Sequence, residues 1–225
     1  MNTISQRLYA IRTEINTLET AADRPQNTVL LLAVSKTKPA SDIALAYQAG
    51  QRHFGENYCQ EALKKQQHLG AFNISWHFIG PIQSNKTKDI AAHFNWVHSV
   101  DNLKIAQRLN DQRPDNLPPL NVCVQVNISN EETKSGLALA ALPDICAAIA
   151  LLPRLKLRGV MAIPAPQEYF EDQRQPYQQL RVAVAKLNGL ALDTFSFGMS
   201  GDLKAAIFEG ATIVRLGSAL FGSRG

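Results

Sequence analysis

A chain of 225 residues, 45% hydrophobic and 19% charged, has the composition of a folded globular domain and not of a disordered one. Its 23 Lys and Arg against 19 Asp and Glu leave a net charge of +4 with no basic run, which argues against a nucleic-acid surface and leaves room for an anionic small ligand. Cys59, Cys123 and Cys146 have no metal-ligand spacing, the first residues carry charges where a signal peptide would be apolar, and no stretch approaches the roughly 20 apolar residues of a membrane span, so a cytoplasmic protein without a bound metal is expected.

Ile4, Leu8, Ile11, Ile15 and Leu18 recur at helical spacing and predict an amphipathic helix over 3–21. The short apolar run 29–34 (VLLLAV) then reads as a buried parallel strand. Ser41 and Asp42 are candidate caps for a helix running to 49. Further strands are predicted at 53–54, 75–79, 96–100, 120–128, 156–163, 194–197 and 212–216. They alternate with helices at 57–68, 86–93, 102–110 (Asp101 as cap), 139–150, 171–188 and 201–209, and a short turn ends the chain. Strict alternation predicts a parallel sheet, and eight such units in a chain of this length predict one closed (β/α)8 barrel over 1–225 with an extra N-terminal helix. An open doubly wound sheet is the alternative. No GxGxxG follows the first strand, and no linker divides the chain.

In a parallel barrel, chemistry gathers at the C-terminal ends of the strands. Leu30, Leu32, Val34 and Lys36 share one face of the first strand, so Lys36 extends an apolar stripe. It reads either as a rim lysine reaching for water or as a desolvated amine with nucleophilic character. On the fifth strand Asn121, Cys123, Gln125 and Asn127 form a small polar face, which suggests either a ligand or a hydrogen-bonded network. The seventh strand runs into Gly198-Met199-Ser200-Gly201, where Ser200 is a candidate N-cap and anion contact. Arg215 sits inside the eighth strand and needs a buried acceptor, from a carboxylate or from a ligand. Gly217 and Ser218 at that strand's end add donors. The segment Gly80–Thr87 is one residue from a P-loop, with Asn85 in place of the second glycine and Pro81 lacking an N–H donor, so nucleotide hydrolysis is not expected. His77 and His98 read as hydrogen-bonded core histidines.

Seven segments occur together and in order: AVSKTKP (33–39), FGENYCQE (54–61), WHFIGPIQSNK (76–86), NISNEETKSG (127–136), RGVMAIPAP (158–166), FGMSGD (197–202) and VRLGSALFG (214–222). In these the chain resembles the pyridoxal phosphate homeostasis proteins, whose fold-type III barrel is similar to the N-terminal domain of alanine racemase. The resemblance implies pyridoxal 5'-phosphate as cofactor, held as a Schiff base on Lys36. It implies Arg215 at the pyridine nitrogen, Ser200 with the backbone N–H groups of Gly217 and Ser218 on the phosphate, and Asn57 and Met199 beside the ring. Lys38, Lys86 and Lys134 would offer secondary contacts or a basic mouth. Arginine cannot give up its proton, so the ring would be a weak electron sink.

Alanine racemase has a second domain and a catalytic tyrosine from a partner subunit, whereas nine residues follow Leu216 here. The resemblance therefore implies a carrier or regulator of the cofactor, with PLP-dependent apo-enzymes as partners, and no catalytic residues; barrel helices with no evident large exposed apolar face favour a monomer. A weak PLP-dependent amino-acid racemase is the alternative; Tyr58 is the tyrosine nearest a strand end. A Schiff-base aldolase would want a lysine at the end of the sixth strand, where Met161-Ala162-Ile163 stands.

Overall fold

Thr3 opens the first helix, α1 (Ile4–Ala21), of the computed structural model, which describes residues 3–129, 131 and 134–222. The Thr3 hydroxyl accepts the Gln6 N–H while the Gln6 side chain accepts the Thr3 N–H, a reciprocal cap. Ile4, Leu8, Ile11 and Ile15 are buried as their spacing predicts, but Leu18 is only partly buried and Glu19 takes the next inward position. Its carboxylate accepts the N–H groups of Asn27, Thr28 and Val29 at 2.6–2.8 Å, which closes the turn that feeds the first strand.

Among the described residues eight parallel strands follow, each with its helix. They are β1 (Leu30–Val34), α2 (Ala40–Gln48), β2 (His53–Glu56), α3 (Cys59–His68), β3 (Ser75–Phe78), α4 (Thr87–His93), β4 (Trp96–Val100) and α5 (Leu103–Gln112). The second half continues with β5 (Leu120–Val126), α6 (Leu142–Ala150), β6 (Leu155–Ala162), α7 (Phe170–Ala185), β7 (Thr194–Ser196), α8 (Leu203–Phe208), β8 (Ile213–Leu216) and α9 (Ser218–Phe221). The strands pair in chain order and β8 closes on β1, so the expected (β/α)8 barrel with its extra N-terminal helix is what the chain forms. The closing register sets Leu32 beside Arg215 and Ala33 beside Leu216, which brings the end of β1 next to the end of β8.

Three capping assignments differ from the sequence reading. Ser41 and Asp42 lie inside α2, whose N-cap is Pro39 with no side-chain bond; proline's fixed backbone starts that helix. Asn102, not Asp101, caps α5 by accepting the Ile105 N–H at 2.9 Å. Asp202, not Ser200, precedes α8. In each case the helix starts one or more residues away from the predicted position, and of the three true boundaries Asn102 alone makes a side-chain cap.

Alternating strand residues face two environments. Leu31, Ala33, Phe54, Phe78, Val97, Val122, Val124, Val160 and Val214 join one buried cluster with the helices. Burying each of these Leu, Val and Phe side chains fully contributes roughly 1.5–3 kcal/mol. Leu32, Cys123 and Met161 are equally buried but stand apart from that cluster, on the barrel's inner side with Arg215, His77, His98 and Ser196. The inner polar face predicted for β5 is part of this lining: Cys123 is fully buried and Gln125 is 8% exposed.

Candidate functional site

Beyond β1 the chain turns sharply, with Thr37 at φ +64°, a left-handed conformation that β-branched residues rarely adopt. A buried ion network holds it there. Lys65 of α3 donates to the Ser35 carbonyl at 2.7 Å, to Glu56 at 2.8 Å and to Glu61 at 2.6 Å. The Ser35 hydroxyl donates to Glu56 at 2.5 Å, and the Thr37 N–H donates to Glu61 at 2.6 Å. Both neighbours of Lys36 are thereby tied to α3 and β2, and Lys36 is presented half-buried at the strand end. Burial pushes the Glu56 carboxyl above its ordinary range, against the opposing pull of Lys65 and Ser35.

On the other side of the barrel mouth, the loop after β7 is fixed by Asp202. One carboxylate oxygen accepts the Met199 N–H at 2.6 Å, and the other accepts the Tyr177 hydroxyl of α7 at 2.5 Å. The Tyr177 ring in turn stacks on Phe197 at 4.3 Å. Gly198 makes the turn at φ +98°, where an added Cβ would lie 2.5 Å from the Ala206 side chain. Arg215 is 5% exposed, and its described hydrogen-bond partners are not carboxylates. Nη1 donates to the Ser196 carbonyl at 2.6 Å and to the Ser196 hydroxyl at 3.0 Å, and Nη2 donates to the Ala162 carbonyl at 3.0 Å. These bonds use three of the five guanidinium N–H groups.

A cavity of about 350 Å³ opens between these two walls. All seven residues singled out from the sequence line it: Lys36, Asn57, Met199, Ser200, Arg215, Gly217 and Ser218. Lys38 lines it as well. Lys134 lines an adjoining cavity of about 260 Å³ that shares Asn57, Ile79 and Ile163 with the first. There it is paired with Glu131 at 2.6 Å. Lys86 ends the 3-10 turn Ser84–Lys86 ahead of α4 and lines neither cavity. Tyr58 is exposed and outside the cavity lining. The buried Asn57 Oδ1 has no hydrogen-bond partner among the described residues, which leaves an acceptor at the cavity wall. Gly80, the first glycine of the P-loop-like segment, packs on the Asn57 backbone, where a Cβ would lie 2.2 Å from the carbonyl oxygen. Close packing explains this glycine.

The sequence reading did not identify the supporting residues. Glu61 and Lys65, four apart on a helix, look like an ordinary surface pair. The signal that could have found them is Glu56, a carboxylate at the end of a buried strand that must have a partner. Asp202 and Tyr177 left no comparable trace.

The family model described as alanine racemase, N-terminal domain, matches residues 7–225. A pyridoxal phosphate homeostasis protein of Pseudomonas aeruginosa is 57% identical over 224 residues, covering 100% of this chain and 97% of the relative. That of Escherichia coli is 53% identical over 229 residues, covering 100% and 98%. The chain belongs to the pyridoxal phosphate homeostasis protein family. Among solved structures, PipY of Synechococcus elongatus matches this family member with a TM-score of 0.88 and 36% identity over 98% of this chain and 100% of that one. A second PipY structure, with PLP bound, matches with a TM-score of 0.85 and 35% identity. An alanine racemase of Clostridium difficile shares the fold, with a TM-score of 0.71 and 16% identity, and this chain covers 56% of its length.

Proposed function

We propose that this protein binds pyridoxal 5'-phosphate in the cavity at the barrel mouth and serves intracellular vitamin B6 homeostasis as a carrier and regulator of the cofactor. The observation that carries the reading is the convergence of a lysine amine, a buried guanidinium and a rim of hydroxyl and backbone donors on one cavity of about 350 Å³. That volume is in the range of small-molecule sites. When bound, the cofactor supplies an aldehyde to an amine, with a ring nitrogen and a dianionic phosphate as further handles. The residues present match those handles. Lys36 is the amine, set at the end of β1 by the network around Lys65. Arg215 offers its remaining N–H donors to the ring nitrogen. Ser200 and Ser218, exposed at the rim, with the backbone N–H groups of Gly217 and Ser218, suit a phosphate. The unpartnered Asn57 Oδ1 supplies an acceptor beside the ring, and Met199 an apolar edge.

A guanidinium keeps its proton, so Arg215 leaves the ring nitrogen unprotonated and the site a poor electron sink. Among the described residues the cavity lining contains no tyrosine or cysteine to oppose Lys36 as a second acid or base, and its other lysine, Lys38, follows Lys36 by two residues in the same segment after β1. Both points favour a carrier over a racemase. The curated relatives carry the name of homeostasis proteins, and one neighbour was solved with PLP bound. We read the protein further as a cytoplasmic monomer that hands the cofactor to PLP-dependent apo-enzymes, which light scattering and reactivation of an apo-enzyme would test. The deciding experiment is the visible spectrum of the purified protein with added pyridoxal 5'-phosphate, before and after borohydride, with mass mapping of the reduced adduct. An adduct on Lys36 is expected. No visible band, or an adduct elsewhere, would sink the assignment, and amino-acid turnover by the loaded protein would overturn the carrier reading.

A further inference from the structure

Beneath the cavity, the barrel interior holds a line of polar groups that crosses from one end of the barrel to the other. His53 Nδ1 lies 3.0 Å from His77 Nε2, and His77 Nδ1 lies 2.9 Å from His98 Nε2. His98 Nδ1 lies 2.7 Å from the Ser196 hydroxyl, which accepts the Arg215 Nη1–H at 3.0 Å. The members come from β2, β3, β4, β7 and β8. His77, His98 and Ser196 are fully buried, and the His77 ring is stacked on Trp96 with centroids 5.5 Å apart. The outer end, His53, is half-buried and lines a separate cavity at the N-terminal end of the strands, with Arg12, Gln51 and Arg52.

We propose that His53, His77, His98 and Ser196 are positioning residues, a hydrogen-bonded line of one fixed polarity that aims the Arg215 guanidinium at the bound ligand. The inference rests on the cofactor reading above only for the identity of that ligand.

The polarity follows from which groups can donate. Arg215 has donors only, so the Ser196 oxygen accepts from it. The described partners of the Ser196 oxygen are Arg215 and His98, so its own proton goes to His98 Nδ1. His98 must then carry its proton on Nε2 and donate to His77 Nδ1. By the same logic His77 carries its proton on Nε2 and donates to His53, with Ser75 as a second acceptor at 3.3 Å. Each neutral imidazole has one donor and one acceptor, which is what an interior member of such a line requires. A charged imidazole would set two donors face to face. Burial and the neighbouring Arg215 hold the His98 pKa down to about 3, and burial with the flanking imidazoles holds His77 well below its ordinary value.

The line is not a route for proton delivery, because it ends in a guanidinium that keeps its proton. It transmits orientation. A barrel interior can be packed with Leu and Met, as it is at Leu32 and Met161, at no desolvation cost to polar groups. Three imidazoles and a serine in register, ending on the one buried arginine of the cavity wall, fix the guanidinium's place from below while the Ala162 carbonyl fixes it from the side. Networks of this kind rigidify a site when fully satisfied.

Long-range 1H–15N correlation spectra of the full-length protein labelled at histidine test the polarity directly. His77 and His98 are expected with Nε2 protonated and Nδ1 bare at neutral pH, and either ring in the opposite tautomer or doubly protonated would overturn the proposal. The second measurement uses pyridoxal 5'-phosphate as probe. Ser196→Ala and His98→Leu should still yield the borohydride adduct on Lys36, with a displaced visible band and binding weaker by roughly 3- to 10-fold, the effect of one buried hydrogen bond. His98→Asn keeps a hydrogen-bonding group near the Nδ1 position, and should restore the parent band. Variants that fold and bind with the parent's band and affinity would overturn the proposal. If a variant does not fold, the spectra of the unsubstituted protein decide. Failure of the parent to form the Lys36 adduct would count against the cofactor reading and leave the tautomer result standing.

Discussion

Lys65 and Arg215 are both buried cations, 6% and 5% exposed, and they are held in opposite ways. Lys65 meets two carboxylates, Glu56 and Glu61, within 2.8 Å, so its charge is answered inside the protein. Arg215 meets two carbonyls and a hydroxyl. Carbonyl dipoles alone do not mark a ligand site: Arg113 is 4% exposed and donates to the Ala91, Phe94 and Pro118 carbonyls. Arg113 follows α5 and sets its guanidinium at the end of α4, where a cation complements the last turn of a helix. Arg215 serves no helix end and lines the cavity. Its charge is therefore positioned but not neutralised by its contacts, whereas that of Lys65 is neutralised and closed off. The first arrangement belongs to a binding site and the second to the scaffold that supports it.

Three substitutions separate the two arrangements. Lys36→Ala should remove the borohydride-fixed adduct entirely while leaving the fold intact, since Lys36 is half-buried at the strand end and belongs to no buried cluster of the core; mass mapping reads this. Lys65→Met should leave Glu56 and Glu61 without their cation and lower stability by about 3–5 kcal/mol, the usual cost of breaking a buried pair from one side. Urea unfolding measures it, and adding Glu56→Gln to the same chain should recover part of the loss. A drop well under 1 kcal/mol by the same measurement, against about 3–5 expected, would place Lys65 among ordinary surface pairs. Arg215→Met should show the reverse profile. Stability falls less than in Lys65→Met, because the acceptors left behind are carbonyls and a hydroxyl and not carboxylates, but pyridoxal 5'-phosphate binds roughly 10- to 100-fold more weakly, as expected for losing a charged hydrogen bond. Equal losses of stability in the two variants would erase the contrast.

The barrel and the reacting end of each strand were legible in the sequence, because period-2 and helical spacings are local and strand ends in this architecture are where sites form. Lys36 and Arg215 stood out as charges in apolar strands, and both line the cavity. The helix caps at Ser41, Asp101 and Ser200 were misplaced, since a boundary is decided by competition among several polar residues within a turn. The groups that hold the site were not legible. Glu61 and Lys65 are neighbours on one helix, yet what makes them a network is contact with Ser35, Glu56 and Thr37 from other elements. The histidine line is spread over β2, β3 and β4, and each imidazole taken alone reads as an ordinary core residue. Tertiary pairing of this kind has no sequence period to betray it.

The smallest expected effect concerns that line and acid. Burial lowers the pKa of His53, His77 and His98, with Arg215 adding to the effect at His98, which falls from 6.5 to about 3. As pH drops below 6.5 the unfolded chain takes up a proton at each of these positions more readily than the native chain does. The unfolded state then binds more protons, so stability is full above 6.5 and is lost progressively toward about pH 3. For His98 alone the loss at about pH 5.5, one unit below its unfolded value, is about 1.4 kcal/mol. Asp193, held low by Arg158, and Glu56, held high by burial, also make stability depend on pH, but they are present in the parent and in His98→Asn alike and cancel in the difference. The stability gap between the two proteins, read by urea unfolding, should therefore narrow by about that amount between slightly alkaline and mildly acidic pH. A gap that stays constant would mean that native His98 gains its proton as readily as an exposed imidazole, which an interior link between Ser196 and His77 could not do without breaking the line that holds Arg215.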